Sequence, residues 1–145
     1  MEEQKYYRGN IAGKSMGEKL SYLLDTCILI DFLRGEPNVY DLLVKGGDDK
    51  LSMSTITMME LIIGALNKRE VNYIQKAFKK IEIIYIDEDI SKMAEDLIIR
   101  YSKSHNLKID DALIAATSLK MNKKLITYNF KDFRYIPDIQ LYQFV

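Results

Sequence analysis

The chain offers almost no sulfur or imidazole chemistry: one cysteine, Cys27, and one histidine, His105, in 145 residues. A lone cysteine excludes an internal disulfide. Together the two residues are too few for a zinc finger or knuckle. No apolar run approaches the roughly 18 residues of a membrane-spanning helix. The first residues carry Glu2 and Glu3 and no apolar signal core, so a reducing cytoplasm is the expected compartment. Net charge is lacking too, because 21 Lys plus Arg balance 21 Asp plus Glu. A protein that grips nucleic acid by phosphate contacts alone carries a basic excess. Neutrality therefore weighs against a pure binding module but leaves room for a nuclease, whose site needs acids. There is no internal repeat and no low-complexity tract.

What is present is enough for a core. Hydrophobic residues make up 48% and charged residues 29%, the balance of one globular domain rather than a disordered or membrane chain. Residues 1–19 are polar, contain Gly9, Gly13 and Gly17, and show no periodic apolar face. They read as a flexible N-terminal extension, with Met16 as a second candidate start. The folded domain is expected over 20–145.

Within it, short apolar runs alternate with helical periodicity. Strands are predicted over 20–24, 50–53, 82–86 and 124–127, with a final edge strand over 139–142. Helices are predicted over 26–34, 38–45, 54–68, 71–80, 89–103 and 110–121. Strands that alternate with helices imply an α/β domain with a mainly parallel sheet.

Three acids stand beside these apolar segments. Asp25 follows Tyr22-Leu23-Leu24 at the carboxyl end of a strand, where ligand sites collect in open parallel sheets; it also suits the N-cap of the next helix. Glu60 lies within Met58-Met59-Glu60-Leu61-Ile62. It is either the far half of a capping box begun by Thr57 or, if Ser54 or Thr55 caps the helix, an acid inside it. Asp111 opens Ala112-Leu113-Ile114-Ala115-Ala116, an apolar helix that must be central. Asp110 beside it can serve as the cap and free Asp111. Helix N-termini favour ionised carboxylates, and two unit charges about 4 Å apart repel by roughly 4 kcal/mol at an effective dielectric of about 20. If the three converge, a cation is expected among them. Carboxylate oxygens without His or Cys select Mg²⁺ or Mn²⁺. The long gaps between the acids fix no geometry, so convergence rests on the fold.

Four segments carry a resemblance. Leu23-Leu24-Asp25-Thr26-Cys27-Ile28-Leu29-Ile30-Asp31, Met59-Glu60-Leu61, Asp111-Ala112-Leu113-Ile114-Ala115-Ala116-Thr117 and Thr127-Tyr128-Asn129-Phe130-Lys131-Asp132-Phe133 resemble the PIN-domain family, most closely the VapC toxins of type II toxin–antitoxin systems. The resemblance runs from Tyr22 to the C-terminus. It implies a three-layer α/β/α fold with a mainly parallel sheet, and an acidic pocket at the strands' carboxyl ends that binds Mg²⁺ or Mn²⁺. Asp25, Glu60 and Asp111 match the family's three near-constant acids and are expected to be catalytic and metal-binding. Thr127 and Asn129 are expected to hold outer-shell waters. A fourth acid usually stands where this chain has Asn129, which puts a second metal in doubt. Asp132 is the candidate substitute, and is expected to be a loop acid of little consequence.

The function so implied is a Mg²⁺- or Mn²⁺-dependent endoribonuclease, the toxin of a toxin–antitoxin pair. RNA is the substrate, a cognate antitoxin the partner, and a homodimer the assembly. Lys108 and Lys123, with Lys103 and Lys124, are the candidate contacts to substrate phosphates. Two other readings stay open: a PIN nuclease of RNA processing or decay without an antitoxin, and a catalytically weak binding module in a repressor complex. His105 is expected in a surface loop, Cys27 in packing, and Asp31 either behind the acids or exposed. The ten tyrosines show no stacking motif of the single-strand-binding kind.

Overall fold

A computed structural model describes residues 6–8, 21–44 and 50–143. The elements run β1 (Tyr6–Arg8), β2 (Ser21–Leu24), α1 (Thr26–Leu33), α2 (Pro37–Val44), β3 (Lys50–Ser54), α3 (Thr55–Ile63), α4 (Lys68–Ala77), β4 (Glu82–Ile84), α5 (Glu88–His105), α6 (Ile109–Lys120), β5 (Lys124–Thr127), α7 (Phe130–Phe133) and β6 (Leu141–Gln143). The strands form one sheet in the order β1-β6-β5-β2-β3-β4, and every pairing is parallel.

Alternation along the strands explains the layers. Leu23, Leu125 and Leu141 face one side, where they pack with Leu97 and Ile114 from α5 and α6 and with Phe133 from α7. Their neighbours Tyr22, Leu24, Ile126 and Tyr142 face the other, against Ile28, Val39, Leu61 and Ile74 of α1 to α4. A strand residue and its neighbour point to opposite faces, so strands covered on both sides read as unbroken apolar runs. Each fully buried aliphatic side chain contributes about 1.5–3 kcal/mol.

Three expectations change. Helix α3 stops at Gly64 rather than reaching 68, because Asn67 starts a new helix: its side chain accepts the Glu70 N–H at 2.9 Å, and Glu70 Oε2 accepts the Leu66 N–H, an almost reciprocal cap. Strand β6 is not an edge, since β1 pairs with it, Tyr6 opposite Leu141. Tyr6–Arg8 thus supplies a strand from within the stretch read as a flexible extension; the rest of that stretch lies outside the described residues.

The sheet's connectivity reverses between β5 and β2. From β2 the chain proceeds outward through β3 and β4, and then returns to lay β5 and β6 on the opposite side of β2. A crevice opens at such a switch point, beyond the carboxyl ends of the strands. Leu24 is in register with Ile126, so the next residues, Asp25 and Thr127, meet there.

Candidate functional site

Asp25 follows β2 at the strand's carboxyl end and also caps the next helix. It is the N-cap of α1, in extended backbone, and its side chain accepts from Thr26 N at 2.8 Å through Oδ1. Oδ2 accepts a 2.6 Å bond from the Thr127 hydroxyl and a longer one, 3.7 Å, from the Cys27 thiol. Its backbone N–H continues the sheet ladder onto the Ile126 carbonyl. Asp25 is only 5% exposed. Burial pushes its carboxyl up, against the pull of the Thr127, Thr26 and Cys27 bonds, and Asp110 pushes it further.

Glu60 sits in mid-helix. Ser54 caps α3 through the Ile56 N–H, so the capping box at Thr57 does not form. The Glu60 carboxylate accepts a 2.8 Å bond from the Thr26 hydroxyl, which ties α3 to the start of α1. Its carboxyl is raised by burial first, then by Asp110 and Asp25. Asp111 is in the first turn of α6, together with Asp110. Lys108, not Asp110, holds the N-cap position, and caps with no side-chain bond. Asp110 Oδ1 accepts the Asp111 N–H instead. Burial, then the charges of Asp110, Asp25, Asp132 and Glu60, push Asp111 up to about 7.

The structure therefore brings together Asp25, Glu60 and Asp111, and adds two acids. Asp110, expected as the cap, instead acts on all three. Asp132, expected in a loop, lies in α7, and its charge reaches Asp111. Asn129 precedes that helix with no side-chain cap bond; its backbone N–H donates to Thr127 Oγ1. Thr26 joins the site through its hydroxyl, and the Asp25-Thr26 pair at a strand's end is the only trace of that role in the sequence.

Two lysines lie elsewhere. Lys123 and Lys124 enter β5 at its start, at the sheet edge opposite the acids. Lys123 is 6% exposed; its ammonium donates to the Ser21 hydroxyl, 4.0 Å from Glu82. It holds structure and cannot reach a substrate at the acids. Lys103 and Lys108 are exposed on either side of the turn between α5 and α6. Cys27 is half-buried, with its thiol pushed to about 11 by burial and by Asp25, so it is packing rather than nucleophile. Asp31 accepts from the Tyr128 hydroxyl at 2.9 Å.

The donor set fits a hard divalent cation. It is all carboxylate and hydroxyl oxygen, and the burial and mutual charge that raise Asp25, Glu60 and Asp111 are what a bound cation would offset. Among the described residues no ion pair reaches Asp25, Glu60, Asp110 or Asp111. The acids are gathered rather than closed: among the described residues no three form a ready-made cage for an ion.

Known proteins resemble this chain over most of its length. The model of the PIN domain matches residues 22–138. The chain is 34% identical over 122 residues to ribonuclease VapC19 of Mycobacterium tuberculosis, an alignment covering 81% of this chain and 96% of that protein. It superposes on VapBC-1 from nontypeable Haemophilus influenzae with a TM-score of 0.71 at 30% identity, over 86% of this chain and 97% of that one. A toxin–antitoxin complex from Klebsiella pneumoniae gives 0.68 at 32% identity, over 81% and 94%.

Proposed function

This chain belongs to the PIN-domain family, and from that premise we propose that it is a metal-dependent endoribonuclease, the toxin of a type II toxin–antitoxin pair. The observation that carries the proposal is the set of carboxylates gathered at the switch point with no lysine or arginine paired to them among the described residues. Asp25, Glu60 and Asp111 would hold Mg²⁺ or Mn²⁺. Such an ion, when bound, acidifies water and offsets charge on the phosphate.

The chain's own residues prepare the site. Thr127 fixes Oδ2 of Asp25 and the helix cap fixes Oδ1, so this carboxylate has little freedom to turn. Thr26 aims Glu60. Lys108, at the N-cap of the helix that carries Asp110 and Asp111, and the exposed Lys103 are the cations we assign to RNA phosphates.

Two features support the partners. A groove of about 520 Å³ has Phe32, Leu43, Val44, Phe78 and Ile81 in its wall and Lys76, Lys79 and Lys80 among its lining. An apolar segment with acidic flanks, as an antitoxin would supply, suits that surface. Ile63, Leu66, Tyr73 and Ile99 are exposed by 62–87%, apolar side chains that a second copy of the chain would cover in the homodimer we propose. Among the described residues no helix is long and apolar enough to cross a membrane, in keeping with cytoplasmic work.

The deciding experiment is incubation of metal-stripped protein with a mixed RNA pool. Cleavage with Mg²⁺ or Mn²⁺ that stops with chelator is expected. Equal cleavage in excess chelator would refute the metal role. RNA left intact in every arm would refute the enzyme, and favour the binding-module reading.

A further inference from the structure

We propose that His105 is a base-stacking residue: a nucleobase flanking the scissile phosphate lies on the outer face of its ring and extends a stack already built with Tyr135. The inference rests on the reading of the site as a ribonuclease and names how it would hold RNA.

No stacking motif is visible along the chain, because the rings come from distant segments. Tyr101 and His105 are one turn apart at the end of α5, and Tyr135 follows α7. The His105 and Tyr135 rings are nearly parallel, 16° apart, with centroids 4.1 Å from each other. Tyr101 meets both edge-on, at 5.7 Å and 5.1 Å. His105 Nδ1 and the Ser104 hydroxyl are 2.8 Å apart. The imidazole is thus pinned in plane and in position, yet exposed. A stack ordered on one side and open to solvent on the other is a platform; any base has a face to lay on it.

Its place fits the chemistry. Asn106, in left-handed backbone at φ 55, turns the chain so that α6 begins at Ile109 and brings Asp110 and Asp111 up in its first turn. Tyr135 stands near these acids, since Asp111 and Asp132 add to the burial that raises its phenol. Lys103 and Lys108 flank His105 in the chain, exposed and without an ion pair among the described residues. An exposed ring with an exposed lysine two residues before it and another three residues after it in the chain suits a nucleotide, whose base would take the ring and whose phosphates would take the lysines. A histidine needed only to complement the helix C-terminus requires no second ring from the segment after α7.

The test is a coupling measurement on the full chain with Mg²⁺. Wild type first maps a cut site in the RNA pool. Binding of that RNA is then measured in an Asp25→Asn background, with each nucleotide near the cut made abasic in turn. His105→Ala should weaken binding of intact RNA by about tenfold, the usual scale for one stacked base. One abasic position should cost a similar factor with His105 present and almost nothing with Ala, while His105→Phe restores both affinity and the abasic penalty. With Asp25 intact, His105→Ala should raise KM and change kcat little. Independent losses at every position, or failure of Phe to rescue, would overturn the stack while leaving the ribonuclease intact. Absence of cleavage by wild type would overturn both.

Discussion

The two ends of the same sheet treat charge in opposite ways. At the starting ends of the strands, one lysine is buried and answered: Lys123 meets Ser21 and Glu82, and its backbone carbonyl accepts from Ser118 at 2.7 Å. At the carboxyl ends, several acids are buried or half-buried and answered by hydroxyls, by backbone N–H groups, by the Cys27 thiol and by one another, with no ion pair among the described residues. The first end is arranged for stability, since a buried charge is retained only when paired. The second holds repulsion that the fold does not relieve by itself. That imbalance, more than any one acid, distinguishes a place for chemistry from a place for structure.

The comparison fails at once if the acids can be removed without consequence. Asp25→Asn and Asp111→Asn should each lower RNA cleavage by more than about 100-fold, beyond the range for losing an outer partner of a metal ligand. Gel assays with Mn²⁺ check this. Metal-free Asp111→Asn should melt no lower than wild type, since it relieves repulsion; a large fall would make Asp111 structural. Thr127→Val should cost about 10–100-fold in Mn²⁺ affinity or cleavage, because Asp25 loses the bond that sets Oδ2. An unchanged calorimetric titration would remove Thr127 from the site.

Asp132→Ala should cost a few-fold, less than loss of an orienting bond and within the low end of that range. Its charge acts on Asp111, which makes it a stronger candidate than its place in the sequence suggested. Asn129→Asp should tighten a second Mn²⁺ ion in the same titration. If Asp132→Ala abolishes a second ion that wild type binds tightly, Asp132 takes the fourth position.

The acid end also predicts a pH slope. Folding raises Asp111 from its ordinary 3.8 to about 7, so the folded chain keeps this proton where the unfolded chain has lost it. The resulting stabilisation is full below about pH 4 and lost as pH rises through about 7. Metal-free protein should melt lower at pH 8 than at pH 5, Mg²⁺ should restore the loss, and Asp111→Asn should flatten the slope. A melting temperature that rises over that window would contradict the crowding of the acids. At the other end, Lys123→Met should leave cleavage per folded molecule unchanged and cost roughly 1–3 kcal/mol in urea, the scale of a buried polar partner removed. Loss of cleavage at full stability would place Lys123 in the site after all.

How much of this was legible follows from which signals are local. The alternation in β2 and the cap at Asp25 are short-range, so the first acid and its strand could be read directly. The position of Glu60 inside α3 was one of two readings, settled when Ser54 took the cap. The error over Lys123 was avoidable: a residue that precedes a parallel strand lies at the edge opposite one that follows it, so Lys123 and Thr127 could never share a site. The end of α3 was also written in the chain, in Asn67 and Glu70 three residues apart, but an apolar run through Ala65 and Leu66 concealed it. Asp132 and the His105 stack were not legible. α7 is a single turn too short to show a period, and a ring stack between residues 30 apart leaves no trace in spacing.

One detail bears on how such a protein can change. Helix α1 begins on Asp25, and the same carboxylate stands at the centre of the acids. Most exchanges at that position harm the helix and the chemistry together, so an inactive descendant would also be an unstable one. Asparagine is the exception, because it caps a helix about as well as aspartate does but supplies no charge. A single amide therefore separates having the shape from having the activity. It would leave a chain that still presents its surfaces to partners, silenced rather than lost.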